Sequence, residues 1–190
     1  MNFFDLGLGD SKLEQKALSL GYSSAIASPK IFVSSKSGLH KLSLKQKIFS
    51  VSSSSSDLLR RASDFAGENS VLLFDAFSVP HFFKDDGLVR SVSEAAGEGK
   101  AVAFEIPYAY FLRNSFVYRA RFVSNTRDFL KKCLKLGAPY AITSGARDEF
   151  ELKSPREVTA IAQLWGLSAE QARRAIGSVP EKMVSALEGE

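Results

Sequence analysis

Short runs of β-branched and aromatic residues alternate with amphipathic stretches along the whole chain. The runs predict seven strands, near Phe3–Leu8, Ser24–Ala27, Ile31–Ser34, Ile48–Ser52, Val71–Phe77, Ala101–Ile106 and Tyr140–Thr143. The stretches between them predict helices, and this alternation is typical of βα units around a largely parallel sheet. The pattern therefore predicts an α/β fold.

Helix starts are marked by a serine that is followed three residues later by Glu or Gln, the spacing of a capping box. The pairs are Ser11 with Glu14, Ser154 with Glu157, Ser168 with Gln171 and Ser178 with Glu181. The first of these predicts a helix at Lys12–Leu20 that ends on Gly21. The others predict three helices at the end of the chain.

The longest predicted helix is Phe116–Leu136. Phe122, Phe129, Cys133 and Leu136 lie near one side of it, whereas basic residues occupy the other sides. Its single acid, Asp128, leaves most of these bases without an i,i+4 partner of opposite charge. We therefore expect a helix with an apolar stripe and basic flanks.

A run of serines, Ser52–Ser56, falls between a predicted strand and a helix at Asp57–Ala66. Such a run favours a strand end followed by a helix N-cap, where free N–H groups can hold an anion. Arg60 and Arg61 follow one turn later, so these two arginines are candidate phosphate contacts. Capping alone is the alternative interpretation.

Composition is ordinary for a globular domain, with 190 residues, 45% hydrophobic and 24% charged. We expect one domain spanning residues 1–190. Cys133 is the only cysteine, which excludes an internal disulfide and favours a reducing compartment. No signal peptide is recognisable and no apolar run approaches the roughly 20 residues of a membrane helix, so we expect a cytoplasmic protein without a membrane partner.

The net charge of +4 is modest, but its distribution is uneven. Five lysines and no acid lie between Lys30 and Lys47, and seven bases accompany one acid between Arg113 and Lys135. Clusters of one sign attract a phosphate backbone, although a solvated helix face is the simpler interpretation of either cluster alone.

Catalytic motifs are absent from the sequence. The two histidines, His40 and His81, stand in no HxH or HExxH setting, and no GxSxG elbow, P-loop or dinucleotide fingerprint occurs. One metal-site hypothesis is left, a magnesium site made of Asp5, Asp75 and Glu105 at strand ends. The alternative is that Asp5 and Glu105 accept hydrogen bonds from buried backbone donors or pair with an arginine. Trp165 and Cys133 are interpreted as packing residues.

Several short motifs, in order, cover residues 101–184. They are Glu105-Ile106, Ser124 to Arg127, Ile142 to Ala146, Glu151 to Glu157, Gly166 to Ser168, Ala172 to Ile176 and Pro180-Glu181. With these motifs the chain resembles the archaeal and eukaryotic ribonuclease P protein component 3 family, the thirty-kilodalton subunit of that enzyme. The N-terminal half matches more loosely, through Asp5-Leu6, Ser53 to Ser55 and Asp75. Lys153 departs from the family's more frequent arginine, and the serine run is longer than usual.

The resemblance implies a compact TIM-like (β/α) barrel, related to the barrel of PHP phosphoesterases but without their metal-binding histidines. It implies a protein subunit of ribonuclease P, whose RNA performs the removal of the 5′ leader from precursor tRNA with Mg²⁺. The expected partners are ribonuclease P RNA, precursor tRNA and a second small protein subunit of the component 2 type. The chain itself is expected to bind no cofactor or metal and to be non-catalytic alone.

Two other functions are kept as hypotheses: a stand-alone PHP-like metal-dependent phosphoesterase, and a non-catalytic protein-interaction scaffold. For the RNA-binding function, the candidate contacts are basic residues of the long helix and of two helix starts. They are Arg60, Arg61, Arg113, Arg119, Arg121, Arg127, Lys131, Lys132, Lys153 and Arg156. Arg127 has an alternative role as a buried ion-pair partner of Glu105.

Overall fold

The computed structural model describes residues 2–35, 48–63, 71–77 and 84–188. The strands are β1 (Phe4–Leu8), β2 (Ser24–Ala27), β3 (Lys30–Phe32), β4 (Ile48–Ser52), β5 (Val71–Asp75), β6 (Val102–Pro107) and β7 (Tyr140–Thr143). The helices are α1 (Glu14–Ser19), α2 (Ser56–Ala62), α3 (Asp86–Gly97), α4 (Ala109–Arg113), α5 (Phe116–Leu136), α6 (Pro155–Leu164), α7 (Ala169–Ile176) and α8 (Ser178–Glu188). All seven predicted strands are confirmed, with bounds that differ by at most a few residues. His40, His81 and the lysines of the 36–47 segment lie outside the described residues.

The strands form two parallel groups. One sheet has the order β3-β4-β5-β6-β7 and the other pairs β1 with β2. Two backbone hydrogen bonds of 2.9 Å join the groups: Gly145 N–H donates to Gly7 O, and Gly9 N–H donates to Ala146 O. β1 therefore lies beside the segment that follows β7. The parallel α/β architecture is confirmed, and closure into a barrel stays a prediction.

The central strands are buried on both faces, which is the usual condition of a parallel sheet covered by helices. On one face Phe74, Phe104 and Phe129 pack together, with the Phe104 and Phe129 rings 4.8 Å apart. At the amino ends of the strands, Met183 of α8 packs on Phe4, Leu73 and Ala103. The core thus includes residues from both ends of the chain.

Helix caps follow the sequence in two of the four predicted places. Ser154 and Ser168 both form complete capping boxes, with Glu157 and Gln171. The predicted box at Ser11 is wrong, because Asp10 caps a short 3-10 turn at Ser11–Leu13 and α1 starts only at Glu14. The box at Ser178 is also not formed: the helix begins at Ser178 itself, and Glu181 N–H donates to Gly177 O.

Within the described ranges, no helix combines the length and the apolar character that crossing a membrane requires. Trp165 and Cys133 are fully buried, as expected of packing residues. Burial raises the pKa of the Cys133 thiol, so this cysteine is not a nucleophile at neutral pH.

Candidate RNA interface

Three acidic side chains lie buried in the strands, and two of them, Asp75 and Glu105, are at or near the carboxyl ends of their strands. Asp5 is in β1, and Asp75 and Glu105 are register partners in β5 and β6. Buried carboxylates need hydrogen bonds or a counter-ion, so their partners determine what this part of the molecule can do.

Asp5 binds backbone donors. Its Oδ1 accepts hydrogen bonds from Gly7 N–H (3.1 Å) and from Ser144 N–H (3.0 Å). The second bond ties β1 to the residue after β7. Burial raises the pKa of Asp5, and these hydrogen bonds partly offset that rise. Asp5 therefore stabilises the junction between the two strand groups.

Glu105 and Asp75 share a lysine. Lys30 Nζ lies 3.3 Å from Asp75 Oδ2 and 3.9 Å from Glu105 Oε2, and it is 5.2 Å from the centre of the Tyr110 ring. Glu105 also accepts hydrogen bonds from the hydroxyls of Ser50 and Thr143. The counter-ion is thus a lysine and not the arginine considered from the sequence.

The pKa values of Glu105 and Lys30 are shifted in directions that agree with this ion pair. Burial raises the pKa of Glu105, and the Lys30 ammonium opposes that rise. Burial by itself would lower the pKa of Lys30, but the charges of Glu105 and Asp75 outweigh it and the pKa is raised. Lys30 is therefore protonated at neutral pH and is the shared counter-ion of the strand-end carboxylates.

Among the residues that the structure describes, no group of three acidic, histidine or cysteine side chains is arranged to hold a metal ion. The Lys30 ammonium occupies the space between the carboxylates of Asp75 and Glu105. A cavity of about 180 Å³ lies nearby, lined by Gly9, Ser28, Lys30, Tyr110, Arg113, Gly145 and Arg147. Its charged lining is basic.

The predicted basic helix is α5, and its buried side matches the apolar stripe seen in the sequence. Phe122, Phe129 and Cys133 are buried, whereas Arg121 and Lys131 are exposed. Positions 121 and 131 lie on the outer side of the helix, opposite the buried side chains. Both bases are therefore accessible to a ligand.

Three candidate arginines make contacts within the protein. Arg113 forms a two-point ion pair with Glu151 and donates to Gly145 O. Arg119 donates to the carbonyls of Phe111 and Leu112. Arg127 donates to Leu164 O at 3.0 Å, and this bond, rather than an ion pair with Glu105, is the contact that the structure gives it.

Other candidate bases are distributed over several elements. Lys132 pairs with Asp86, and Arg60 pairs with Asp57 within α2. Lys131 Nζ is 3.9 Å from Asp128, in an exposed pair that contributes little. Arg61 is exposed at the end of α2.

The start of α6 is built as the capping box predicts. Ser154 Oγ accepts from Glu157 N–H, and the Glu157 carboxylate accepts from Ser154 N–H at 2.8 Å. The Ser154 hydroxyl also donates to the Glu157 carboxylate at 2.7 Å, and this hydrogen bond, together with the one from Ser154 N–H, lowers the pKa of Glu157. Lys153 Nζ donates to Phe150 O, and Arg156 is exposed on the first turn. The corner is rigid and carries one fully available base.

The serine run lies where the sequence placed it, but its hydroxyls act differently. Ser53 Oγ donates to Val33 O and accepts from Ser55 N–H, while Ser55, the N-cap residue of α2, makes no side-chain cap hydrogen bond. The run therefore joins β4 to the neighbouring strand segment as well as to α2.

The sequence did not reveal the pairing of Lys30 with the carboxylates or the place of Arg147 in the cavity lining. Lys30 lies in a lysine-rich stretch, which suggested a surface cluster, and Arg147 was not singled out at all. The position of Lys30 directly before the predicted strand Ile31–Ser34 was the one available signal, and in the structure the strand begins at Lys30 itself.

These observations define a class of protein with a parallel α/β fold. In this class a lysine pairs with the carboxylates at the strand ends, and a basic helix lies on the surface. The family model for RNase P subunit p30 matches residues 25–188. The chain belongs to the RNase P subunit p30 family.

Curated relatives include Ribonuclease P protein component 3 of Methanosarcina barkeri, which is 33% identical over 111 residues, covering 58% of this chain and 46% of the relative. The protein of the same name from Methanococcoides burtonii is 33% identical over 102 residues, with coverages of 53% and 42%. That from Methanothermobacter thermautotrophicus is 26% identical over 110 residues, with coverages of 58% and 45%. The matches span less than half the length of these relatives.

A solved structure gives the same fold. A chain in a cryo-EM structure of archaeal Ribonuclease P with mature tRNA aligns with a TM-score of 0.68 and 19% identity, covering 98% of this chain and 82% of that chain. At this identity the similarity concerns the fold alone.

Proposed function

We propose that this protein is a subunit of ribonuclease P, and that it supports the RNA-catalysed removal of the 5′ leader from precursor tRNA. The observation that carries the proposal is membership of the RNase P subunit p30 family over residues 25–188. In this function the protein binds ribonuclease P RNA, precursor tRNA and a second small protein subunit of the component 2 type. Mg²⁺ acts on the RNA, and this chain alone performs no hydrolysis.

The lysine at the strand ends supports a non-catalytic role. A carboxylate pair with a divalent cation could activate water, but here an ammonium lies against both carboxylates. An ammonium has no open coordination position for a water or a phosphate ester. The chain therefore contributes by binding and positioning RNA, chiefly through phosphate contacts.

Among the candidate bases, the structure favours those without strong internal partners. Arg121, Lys131 and Arg156 are exposed, whereas Arg113, Arg119 and Arg127 hold carbonyls or a carboxylate. The first group should carry RNA affinity. The second group should contribute mainly to stability, with their remaining N–H groups available to phosphates.

The function is tested by reconstituting candidate ribonuclease P RNA with precursor tRNA and the candidate partner subunit, with and without this chain. We expect faster 5′ cleavage at limiting Mg²⁺ when the chain is present, and no cleavage by the chain alone. Equal rates with and without the chain would refute the function. Hydrolysis of simple phosphate esters by the purified chain with Mg²⁺, Mn²⁺ or Zn²⁺ would favour the phosphoesterase hypothesis instead.

The RNA contact is tested by the triple variant Arg121→Ala, Lys131→Ala, Arg156→Ala. If about six phosphates are engaged, the logarithm of the affinity of the parent protein falls against the logarithm of salt concentration with a slope of about 4 to 5. The triple variant should lower both affinity and slope. The matched control, Arg173→Ala, Arg174→Ala, Lys182→Ala, removes the same charge from exposed positions of α7 and α8. If both variants lost RNA affinity equally, the affinity would depend only on the net charge of the protein and not on these three positions.

A further inference from the structure

The first turns of α5 expose large apolar side chains that the bases alone do not explain. Phe116 is 87% exposed, Val117 58% and Tyr118 62%. Every residue from 115 to 121 is exposed. Since successive helical residues are turned by about 100°, the six exposed residues inside the helix, 116 to 121, cover all sides of it. The end of α5 therefore projects from the body of the protein.

The projecting end is held firmly at its base. Arg119 donates to Phe111 O at 3.0 Å and to Leu112 O at 3.1 Å, and its guanidinium lies 5.2 Å from the centre of the Phe111 ring. Asn114 Nδ2 donates to Tyr110 O, which fixes the turn between α4 and α5. A surface that is ordered before binding loses less conformational entropy when a ligand arrives.

The charge around the exposed rings indicates the nature of the ligand. Between Arg113 and Lys135 there are seven bases and one acid, and the first turn of α5 contains no acid. Arg121 follows Tyr118 by three residues and Val117 by four, so these side chains are neighbours on the helix surface. Rings that alternate with arginines fit a ligand that is both anionic and flat. An apolar protein surface would satisfy the rings but would leave Arg121 without an anionic partner.

We infer that Phe116 and Tyr118 form a stacking surface for unpaired RNA nucleotides, with Arg121 contacting the adjoining phosphates. Bases in single-stranded RNA stack on aromatic side chains, whereas bases in a duplex are already stacked on one another. The inference rests on the proposed RNA-binding function and adds to it the class of RNA element, a loop, bulge or single-stranded end. It also separates two roles on one helix, since the rings bind bases and Arg121 and Lys131 bind phosphates.

The test measures the affinity of the full chain for three RNA probes. These are a single-stranded 12-mer of adenosine, an abasic ribose-phosphate 12-mer and a blunt hairpin duplex. The variants are Phe116→Ala with Tyr118→Ala, and Phe116→Leu with Tyr118→Leu, which keeps apolar area but removes the rings. Leu18→Ala with Leu164→Ala is the control, because these two apolar side chains, 41% and 57% exposed, belong to α1 and α6. All variants should keep the melting temperature of the parent, because every altered side chain is exposed.

Loss of a stacked base lowers affinity by about tenfold for each ring. Both ring variants should therefore lose about a hundredfold in affinity for the adenosine 12-mer, with an unchanged salt slope. Their affinities for the abasic 12-mer and the duplex should equal those of the parent, and the control should bind all three probes normally.

Unchanged adenosine binding by the ring variants would overturn the inference, and so would equal losses for the abasic probe. The inference would also be overturned if the ring variants bound RNA normally but no longer bound the partner subunit. That result would make this surface a protein interface. In each of these cases the triple base variant still reports whether the proposed RNA-binding function holds. If the parent binds none of the probes at low salt, the inference and the RNA-binding function fail together.

Discussion

Replacing Lys30 by methionine tests whether a lysine neutralises the strand-end carboxylates. The substitution keeps a flexible side chain of similar length and removes the ammonium, with its charge and its hydrogen bond to Asp75. In the parent protein the ammonium lies 3.3 Å from Asp75 and 3.9 Å from Glu105. Both carboxylates are at least 95% buried, whereas the Lys30 side chain is 35% exposed.

Breaking a fully buried ion pair by removing one partner costs about 3–5 kcal/mol. Because water reaches part of Lys30, we expect a smaller loss of about 2 kcal/mol in the free energy of unfolding at pH 7. The pair of Lys16 with Glu149, in which both side chains are about half exposed, provides a matched control, since Lys16→Met should cost less than about 1 kcal/mol.

The loss should depend on pH, and its sign follows from Glu105. Burial raises the pKa of Glu105 above its usual 4.5, and the Lys30 charge opposes this rise. Without Lys30 the folded-state pKa of Glu105 moves further upward. A carboxyl with a raised folded-state pKa favours the folded state while protonated, and this contribution disappears as pH rises from the unfolded value through the folded one. Lys30→Met should therefore be closest to the parent in stability near pH 5 and furthest from it near pH 8.

Urea denaturation of the parent, Lys30→Met, Glu105→Gln and the double variant at pH 5 to 8 measures these differences. Glu105→Gln should remove most of the pH dependence caused by Lys30→Met and recover part of the stability, while Asp75 remains without its ammonium. A loss that is equal at all pH values, or that Glu105→Gln does not reduce, would refute the assignment.

Four further predictions concern other parts of the molecule. Ser154→Ala should lower the free energy of unfolding by about 1 kcal/mol, measured by thermal melting, and should leave the salt slope of RNA binding unchanged. The double variant Lys153→Ala, Arg156→Ala should do the opposite: the salt slope of RNA binding falls by up to about two phosphate contacts, and the melting temperature stays nearly constant. A lower melting temperature with unchanged RNA binding would show that the start of α6 has a structural role only. Gly7→Ala should destabilise the protein by about 1–3 kcal/mol in urea titrations, because the new Cβ would lie 2.5 Å from Glu105 Oε1. A chelator should abolish holoenzyme cleavage without changing the circular dichroism of this chain, and one tightly held metal per purified chain would contradict that expectation.

Local features of this protein were predictable from the sequence because they depend on neighbouring residues. The strands follow from short runs of β-branched and aromatic residues, and the long helix follows from its apolar stripe. The capping boxes at Ser154 and Ser168 were predictable because their partners lie three residues away. At Ser11 the same spacing gave the wrong cap, since Asp10 is an equally good acceptor one residue earlier and a 3-10 turn replaced the first helical turn.

Only the tertiary structure determined which charged residues are free and which are already paired. Arg113 and Glu151 are 38 residues apart, and Lys30 and Asp75 are 45 apart. Each pair forms only because parallel strands bring their loops and ends to one side of the sheet. In the sequence Arg113, Arg119 and Arg121 look alike. In the fold Arg113 pairs with a carboxylate, Arg119 donates to two carbonyls, and Arg121 is exposed. The physical reason is that helix and strand patterns reflect local backbone preference, whereas the availability of a charge depends on distant groups that only folding brings near.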